Sequence, residues 1–250
     1  MTALPGRVLV TGAAGDVGAA LVHLLARDGT AVVAADQRLD RLDEVVAAAP
    51  GPVAALPLDL TRDASIRAAA AAVSDGSGGS SSAPLSLVHC AGVTRLAPFA
   101  DSDPADWDLM YRVNQRGPLL LTQLLLPALT AAPGAVVFVA SDSARAGAGH
   151  EVAYAGTKAA LLGAAKSLAR ELARHRTRVN VVSPGPLEGT MSAAATAGDP
   201  AYLDRLLRGI PLRRLGAPIE VAACIAWLLG PGAGYVTGQT ISVSGGITMH

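Results

Sequence analysis

Short apolar runs recur along the chain: RVLVTG (7–12), TAVVAAD (30–36), VAALPLDL (53–60), LSLVHCAG (85–92), AVVFVAS (135–141), RVNVVSPG (178–185) and QTISVSGG (239–246). Amphipathic or Ala-rich segments separate most of them. The runs show little polar alternation, as expected of strands covered on both sides, and their alternation with helical stretches predicts a parallel sheet with helices on both faces. In such sheets ligands bind beyond the carboxyl ends of the strands, so the residues that follow each run are where chemistry is expected.

A chain of 250 residues, 51% hydrophobic, can bury one large core, and the expectation is a single domain over residues 1–250. GSGGSSSA at 76–83 interrupts the pattern. It reads as a flexible Gly/Ser surface loop, because the strand pattern continues on both sides and neither half would hold a complete core. Twenty basic and twenty acidic side chains cancel, with no basic cluster suited to nucleic acid or anionic lipid. The longest apolar stretch, GPLLLTQLLLPAL, is interrupted by Gln123 and Pro127, and the start MTALPGRVLVTG lacks the h-region of an export signal. Cys90 and Cys224 make neither a disulfide framework nor a metal-ligand spacing. These features point to a cytoplasmic protein with a small-molecule partner, no metal, no nucleic acid and no membrane.

Gly12, Gly15 and Gly18 follow the first run and open the amphipathic segment VGAALVHLLARDG. Strand, Gly-rich turn and helix in that order form the context of a dinucleotide-binding loop, where backbone N–H groups, including that of Val17, meet phosphate at a helix N-terminus. Asp36 ends the second run at the position where a carboxylate accepts from the adenosine ribose hydroxyls. It would repel a 2′-phosphate, which favours NAD over NADP, and Arg38 would offset part of that repulsion by folding back. Asp16 stands inside the glycine loop itself. As a helix N-cap facing sideways it would cost little, whereas facing the cleft its charge would oppose a pyrophosphate.

Tyr154 and Lys158, in YAGTK at the start of a long helical segment, are four apart and share a helix face. An ammonium one turn away stabilises a phenolate and lowers the phenol pKa toward the working range. Ser141 ends the AVVFVA run, where its hydroxyl can donate to an oxygen that becomes negative during hydride transfer. Asn114 is a poor helix-interior residue unless its amide bends the helix or holds a water.

On these residues the chain resembles the compact branch of the short-chain dehydrogenase/reductase family, from Arg7 nearly to the C-terminus, which implies a doubly wound Rossmann-type α/β domain. TGAAGDVG corresponds to that family's glycine loop, Asp59 with Leu60 to its adenine-contacting acid, and Cys90-Ala91-Gly92 to its N-A-G turn. Pro184-Gly185 matches its P-G motif, and Leu187 the residue whose backbone meets the nicotinamide carboxamide. The resemblance implies that Tyr154 transfers the proton, that Lys158 lowers its pKa and holds the ribose, that Ser141 orients substrate oxygen, with Ser143 as fallback, and that Asn114 fixes a relay water.

The chain departs from the family at Asp16, which replaces the middle loop glycine, although Gly15 restores the G-x-x-G-x-x-G spacing of the longer epimerase-like branch. It departs also at Cys90, which replaces Asn, and at Gly189, where Thr is common and Thr190 lies one place along.

SDSARAG (141–147), NVVSPGP (180–186) and SVSGGITM (242–249) are similar to enzymes oxidising 2-hydroxycyclohexanecarboxyl-CoA, and IPLRRLG (210–216) with TGQ (237–239) to β-ketoacyl carrier-protein reductases. The expected function is thus reversible NAD(H)-dependent hydride transfer on a secondary alcohol/ketone pair, with a β-hydroxyacyl or β-ketoacyl thioester of CoA or carrier protein as substrate. The alternatives are an NADPH-dependent 3-oxoacyl-carrier-protein or polyketide ketoreductase, and a non-catalytic dinucleotide sensor. A loose Ala-rich substrate lid is expected at about 188–207, with Met191 and Tyr202, and Arg145 and His150 are candidates to meet an anionic substrate. The resemblance further implies a homotetramer or homodimer joined by the helices near 107–130 and 155–174.

Overall fold

All seven apolar runs form strands: β1 (Arg7–Thr11), β2 (Ala31–Asp36), β3 (Val53–Pro57), β4 (Leu85–His89), β5 (Ala135–Val139), β6 (Arg178–Pro184) and β7 (Thr240–Val243). The structure is a computed structural model that describes residues 4, 6–76, 83–189 and 200–249. The six pairings are parallel and the strand order is β3-β2-β1-β4-β5-β6-β7. β1 pairs on one side with β2 (Arg7 opposite Ala31) and on the other with β4 (Arg7 opposite Leu85). The chain therefore runs outward one way through β2 and β3, then restarts in the opposite direction at β4. Connections leave β1 and β4 toward opposite faces, and a crevice opens between their carboxyl ends.

Alternate strand residues feed two cores, as the period of a strand requires. Val8, Val10, Val32 and Ala34 pack against α1 (Asp16–Arg27), α2 (Leu39–Ala48) and the last helix, α9 (Pro218–Leu229). Leu9, Val33 and Ala35 face the other way, against α3 (Asp63–Ser74), α5 (Gly117–Thr130) and α7 (Val152–Leu172). Burial on both faces explains why the runs of the five inner strands, β1, β2, β4, β5 and β6, lack polar alternation. The remaining helices are α4 (Pro104–Tyr111), the short α6 (Ser143–Ala146) and α8 (Pro200–Gly209).

Between α4 and α5 the chain makes a π turn at Arg112–Arg116, with Asn114 at its centre. Among the described residues no helix is long and apolar enough to cross a membrane, and α5 runs through Pro127. Of the Gly/Ser loop expected at 76–83, residues 77–82 lie outside the described residues. So do 190–199 of the expected lid, including Thr190 and Met191, and the side chain of Tyr202.

Candidate active site

A cavity of about 650 Å³ occupies the crevice beyond the strand ends. Gly12, Gly15, Asp16, Val17, Gly18, Asp36, Asp59, Leu60, Cys90, Ala91, Gly92, Ser141, Tyr154, Lys158, Pro184, Gly185 and Leu187 all line it. Asn114 does not line it and braces its wall from behind. Arg145 does not reach it, and His150 lines a separate small depression.

At the β1–α1 turn, Gly12 has φ +68°, and a Cβ there would sit 2.5 Å from the Ala91 backbone nitrogen. The β1 and β4 turns can touch only because this residue has no side chain. A Cβ at Gly18 would run into the Gly12 carbonyl, which keeps the start of α1 tight against the loop. The free N–H groups of the first turn of α1 thus face a cradle without side-chain bulk, and the residues present fit a dinucleotide pyrophosphate.

The helix N-cap is Gly15. Asp16 is the first helical residue and makes no side-chain cap bond, so the capping role open to it in the sequence is not the one it fills. Its exposed carboxylate instead faces the backbone after β6, where a Cβ at Gly189 (φ +132°) would collide with it. Asp16 therefore reaches across the cavity mouth, beside the amides a pyrophosphate needs.

The buried Asp36 carboxylate accepts from Ala14 N (3.0 Å, through Oδ2) and from Arg38 N and Nε (2.9 and 3.4 Å, through Oδ1). Of the about four acceptor positions of a carboxylate, one on Oδ2 remains for a ribose hydroxyl. Arg38 does fold back: its Nη2 lies 3.7 Å from where a Cβ on Gly15 would be. Asp59 is occupied locally, its Oδ1 accepting from Thr61 N (2.8 Å) and Thr61 Oγ1 (2.6 Å). Cys90 joins β4 to β1 through its backbone N–H to Thr11 O (3.1 Å), and burial pushes its thiol up to about 12, with the Lys158 charge opposing. It stays a neutral thiol and a poor nucleophile.

Further along β6, a Cβ at Gly185 would lie 2.8 Å from Ser244 Cα, so the C-terminal segment presses on the Pro184-Gly185 turn. Leu187 is held by a parallel bridge to Gly216.

Tyr154 and Lys158 point from one face of α7 into the cavity, both buried. Ser141 lies beside the Tyr154 phenol and stabilises its charged form, and its Oγ accepts from Ser143 N (3.2 Å). Lys158 Nζ donates to the Val139 carbonyl (2.8 Å) and lies 3.0 Å from where a Cβ on Gly92 would be. Burial pushes the Tyr154 phenol up to about 12; the Ser141 hydroxyl works against this and the Glu151 charge adds to it. Burial lowers Lys158 to about 8. The expectation that the ammonium would dominate the phenol pKa is thus corrected in the protein taken alone. Taking a phenolate out of water outweighs the pull of a cation already bonded to a carbonyl.

Asn114 accepts from Val93 N (2.8 Å) and donates to Val93 O (2.9 Å) and Thr157 Oγ1 (3.1 Å). Its amide ties the segment after β4 to α7 and so sets the distance between the two halves of the site. Sequence reasoning missed Asp142. Its carboxylate accepts from Ser242 Oγ and Thr248 Oγ1 (2.5 Å each), and its N–H donates to Pro184 O (2.9 Å). It clamps the Ser141 loop to the C-terminal segment, between residues 100 and 106 positions apart, and no local pattern signals such pairs. Thr94 and Glu151, both lining the cavity, were missed as well. Among the described residues no His, Cys, Asp and Glu group suits a metal ion.

Comparison with known proteins gives this constellation its class. Residues 12–248 match the enoyl-(acyl carrier protein) reductase family model. The chain is 35% identical to the 3-oxoacyl-[acyl-carrier-protein] reductase of Thermotoga maritima, covering 98% of this chain and 99% of that one. It is 31% identical to the (3R)-3-hydroxyacyl-CoA dehydrogenase of Homo sapiens, covering 96% and 95%. Its fold superposes on an actinorhodin polyketide ketoreductase variant crystallised with NADPH, with a TM-score of 0.91, 28% identity and 98% of both chains covered. The protein belongs to the short-chain dehydrogenase/reductase family and is an oxidoreductase of the NAD(P)(H)-using type. A purely dinucleotide-sensing role is set aside accordingly.

Proposed function

We propose that this protein is an NAD(H)-preferring oxidoreductase that interconverts a secondary alcohol and a ketone on a β-hydroxyacyl or β-ketoacyl thioester. The convergence of Ser141, Tyr154 and Lys158 on one cavity whose far end holds the Asp36 carboxylate carries the reading. Bound nicotinamide would supply the hydride acceptor or donor. In the oxidative direction Tyr154, as phenolate, takes the proton of the substrate hydroxyl. Ser141 holds the same oxygen by donating to it, and Lys158 supplies positive charge one helical turn behind the phenol and binds a ribose hydroxyl. Reduction runs the same proton path backwards. The names of two relatives, a 3-oxoacyl reductase and a 3-hydroxyacyl-CoA dehydrogenase, support the thioester.

Asp36 supports NAD, because its remaining acceptor position suits a ribose hydroxyl and its charge opposes a 2′-phosphate. Arg38, folded over Gly15, is the observation that favours the second reading, an NADPH-dependent 3-oxoacyl-carrier-protein or polyketide ketoreductase. Initial rates at the nicotinamide absorbance band, with both cofactors across acyl-thioester and simple-alcohol panels, separate the two. The expected result is kcat/KM at least about tenfold higher with NAD(H), roughly 1.4 kcal/mol of discrimination. Preference for NADP(H) would overturn the reading of Asp36.

Asp16→Gly is expected to tighten NADH binding by about three- to tenfold, since it removes an exposed, partly screened charge from beside the pyrophosphate amides. Fluorescence titration measures this. An unchanged or larger dissociation constant would show that the Asp16 charge does not oppose the phosphates.

The proposal also has the chain act in the cytoplasm as one dinucleotide-binding unit over residues 1–250, with a lid at about 188–207. Glu188 and Leu206, near its two ends, both line the cavity and support that lid. We further propose a homotetramer or homodimer joined through α4–α5 and α7. Tyr111 on α4 and Val152 on α7 are exposed apolar residues that such an interface would cover.

A further inference from the structure

Asp142 is a buried carboxylate that the chemistry above does not use, although it follows Ser141 directly. It occupies the N-cap position of α6, where an Asp usually accepts from the amides of its own helix, yet it makes no side-chain cap bond. Its oxygens are turned to another part of the chain: Oδ1 accepts from Ser242 Oγ and Oδ2 from Thr248 Oγ1, at 2.5 Å each. These are lengths of charge-assisted bonds, and a buried carboxylate is tolerated only with such partners. The two hydroxyl oxygens also lie 2.9 Å from each other, so the three side chains form one closed group.

That group spans three strands. β6 lies between β5 and β7 in the sheet, and the Asp142 N–H donates to Pro184 O (2.9 Å) on β6 while its side chain reaches Ser242 on β7. Thr248 and its neighbour Ile247 line the cavity. On the other side of the clamp, the Asp142 carbonyl accepts from Arg145 N (2.9 Å) and Ala146 N (3.0 Å), which closes the turn of α6. A helix of four residues does not hold itself and depends on tethers. Within the same turn Ser143 N donates to Ser141 Oγ, so the Ser141 proton is left to be donated into the cavity.

We propose that Asp142 is a positioning residue for the reaction. By tying the turn to Ser242 and Thr248 it fixes the Ser143 N–H and, through it, the Ser141 hydroxyl that orients the reacting oxygen. This deepens the proposed function and rests on its role for Ser141. The segment after β7 thereby belongs to the framework that sets the geometry of hydride and proton transfer, where a small misplacement of an orienting group is expensive in rate.

The test follows hydride transfer in single-turnover and steady-state rates, using the best substrate of the acyl-thioester and simple-alcohol panels, with NADH affinity from fluorescence titration. Asp142→Ala is expected to lower kcat about tenfold or more and to leave NADH affinity within about twofold. Thr248→Val is expected to lower kcat at least about threefold, whereas Thr248→Ser, which keeps the hydroxyl, stays within about twofold of wild type. An effect transmitted through Ser141 disappears once that hydroxyl is gone, so in a Ser141→Ala background Asp142→Ala is expected to cost less than about twofold more. Where Asp142→Ala fails to fold, as judged by its melting temperature, Thr248→Val takes its place in both backgrounds. Wild-type kcat in the folded variants, the full loss repeated in the Ser141→Ala background, or a fall in NADH affinity as large as that in kcat overturns the positioning role and leaves the alcohol/ketone reading intact. No hydride transfer by the wild-type protein to any panel member overturns that reading and this role with it.

Discussion

Tyr154→Phe is expected to lower turnover at least about 10³-fold while leaving NADH affinity within about twofold of wild type. The phenyl ring fills the same buried slot on α7, so packing is kept, and what is lost is the hydroxyl beside Ser141. Without it no side chain on this face takes the alcohol proton in oxidation or returns it in reduction. Ser141, whose Oγ already accepts from Ser143 N, can orient an oxygen but cannot act as base at neutral pH. A loss confined to kcat with cofactor binding unchanged is the signature of an interaction made in the transition state. Steady-state rates with a fluorescence titration of NADH provide the check, and retained turnover would overturn the assignment of Tyr154 as the proton-transfer group.

The second large effect falls on Lys158 and has two parts of opposite sign. Lys158→Met should reduce turnover by about 10²-fold or more, because it removes the cation behind the phenol. It should also stabilise the fold at neutral pH. Burial lowers the ammonium from 10.5 to about 8, so between these values the unfolded chain holds a proton that the folded chain does not. The Lys158 contribution to stability therefore rises as pH climbs through that window and is lowest below about 8, where both states are charged.

Met removes the buried charge and the slope together. The gain below pH 8 is on the order of a few kcal/mol, which follows from the fall of the ammonium from 10.5 to about 8. Cys90 and Tyr154, pushed by burial from 9.0 and 10.0 to about 12, pull stability the other way within this window, so the difference between wild type and variant is the quantity that reports Lys158. Denaturant melts of both proteins between pH 7 and 11 measure this, and a wild-type minus variant difference that does not change with pH would overturn the account of a buried, destabilising ammonium. A site that costs stability in order to hold its charge is a usual trade in enzymes.

Much of this architecture is legible before any coordinates. Each of the seven strands lies inside an apolar run; for the five inner strands this is because a strand buried on both faces writes its burial directly into consecutive residues, while the edge strands β3 and β7 are only partly buried. Gly12 and Gly18 are equally local, since the tight strand-to-helix turn leaves no room for a Cβ at either. The shared face of Tyr154 and Lys158 follows from the helical period alone. Asp16 marks where this local reading stops. The residue type allows a cap or a charge in the cleft, and only the position of Gly189, brought over from the end of β6, shows that the carboxylate spans the cavity mouth.

The chain by itself thus determined the elements, the turn glycines and the types of group available for chemistry, because periodicity and steric exclusion act over a few residues. Tertiary structure decided which of those groups meet. Asp142 and Thr248 come together across 106 positions, and Asn114 braces Val93 against Thr157. It also decided the direction in which Tyr154 and Lys158 titrate, since desolvation depends on everything packed around a group and not on its neighbours in sequence.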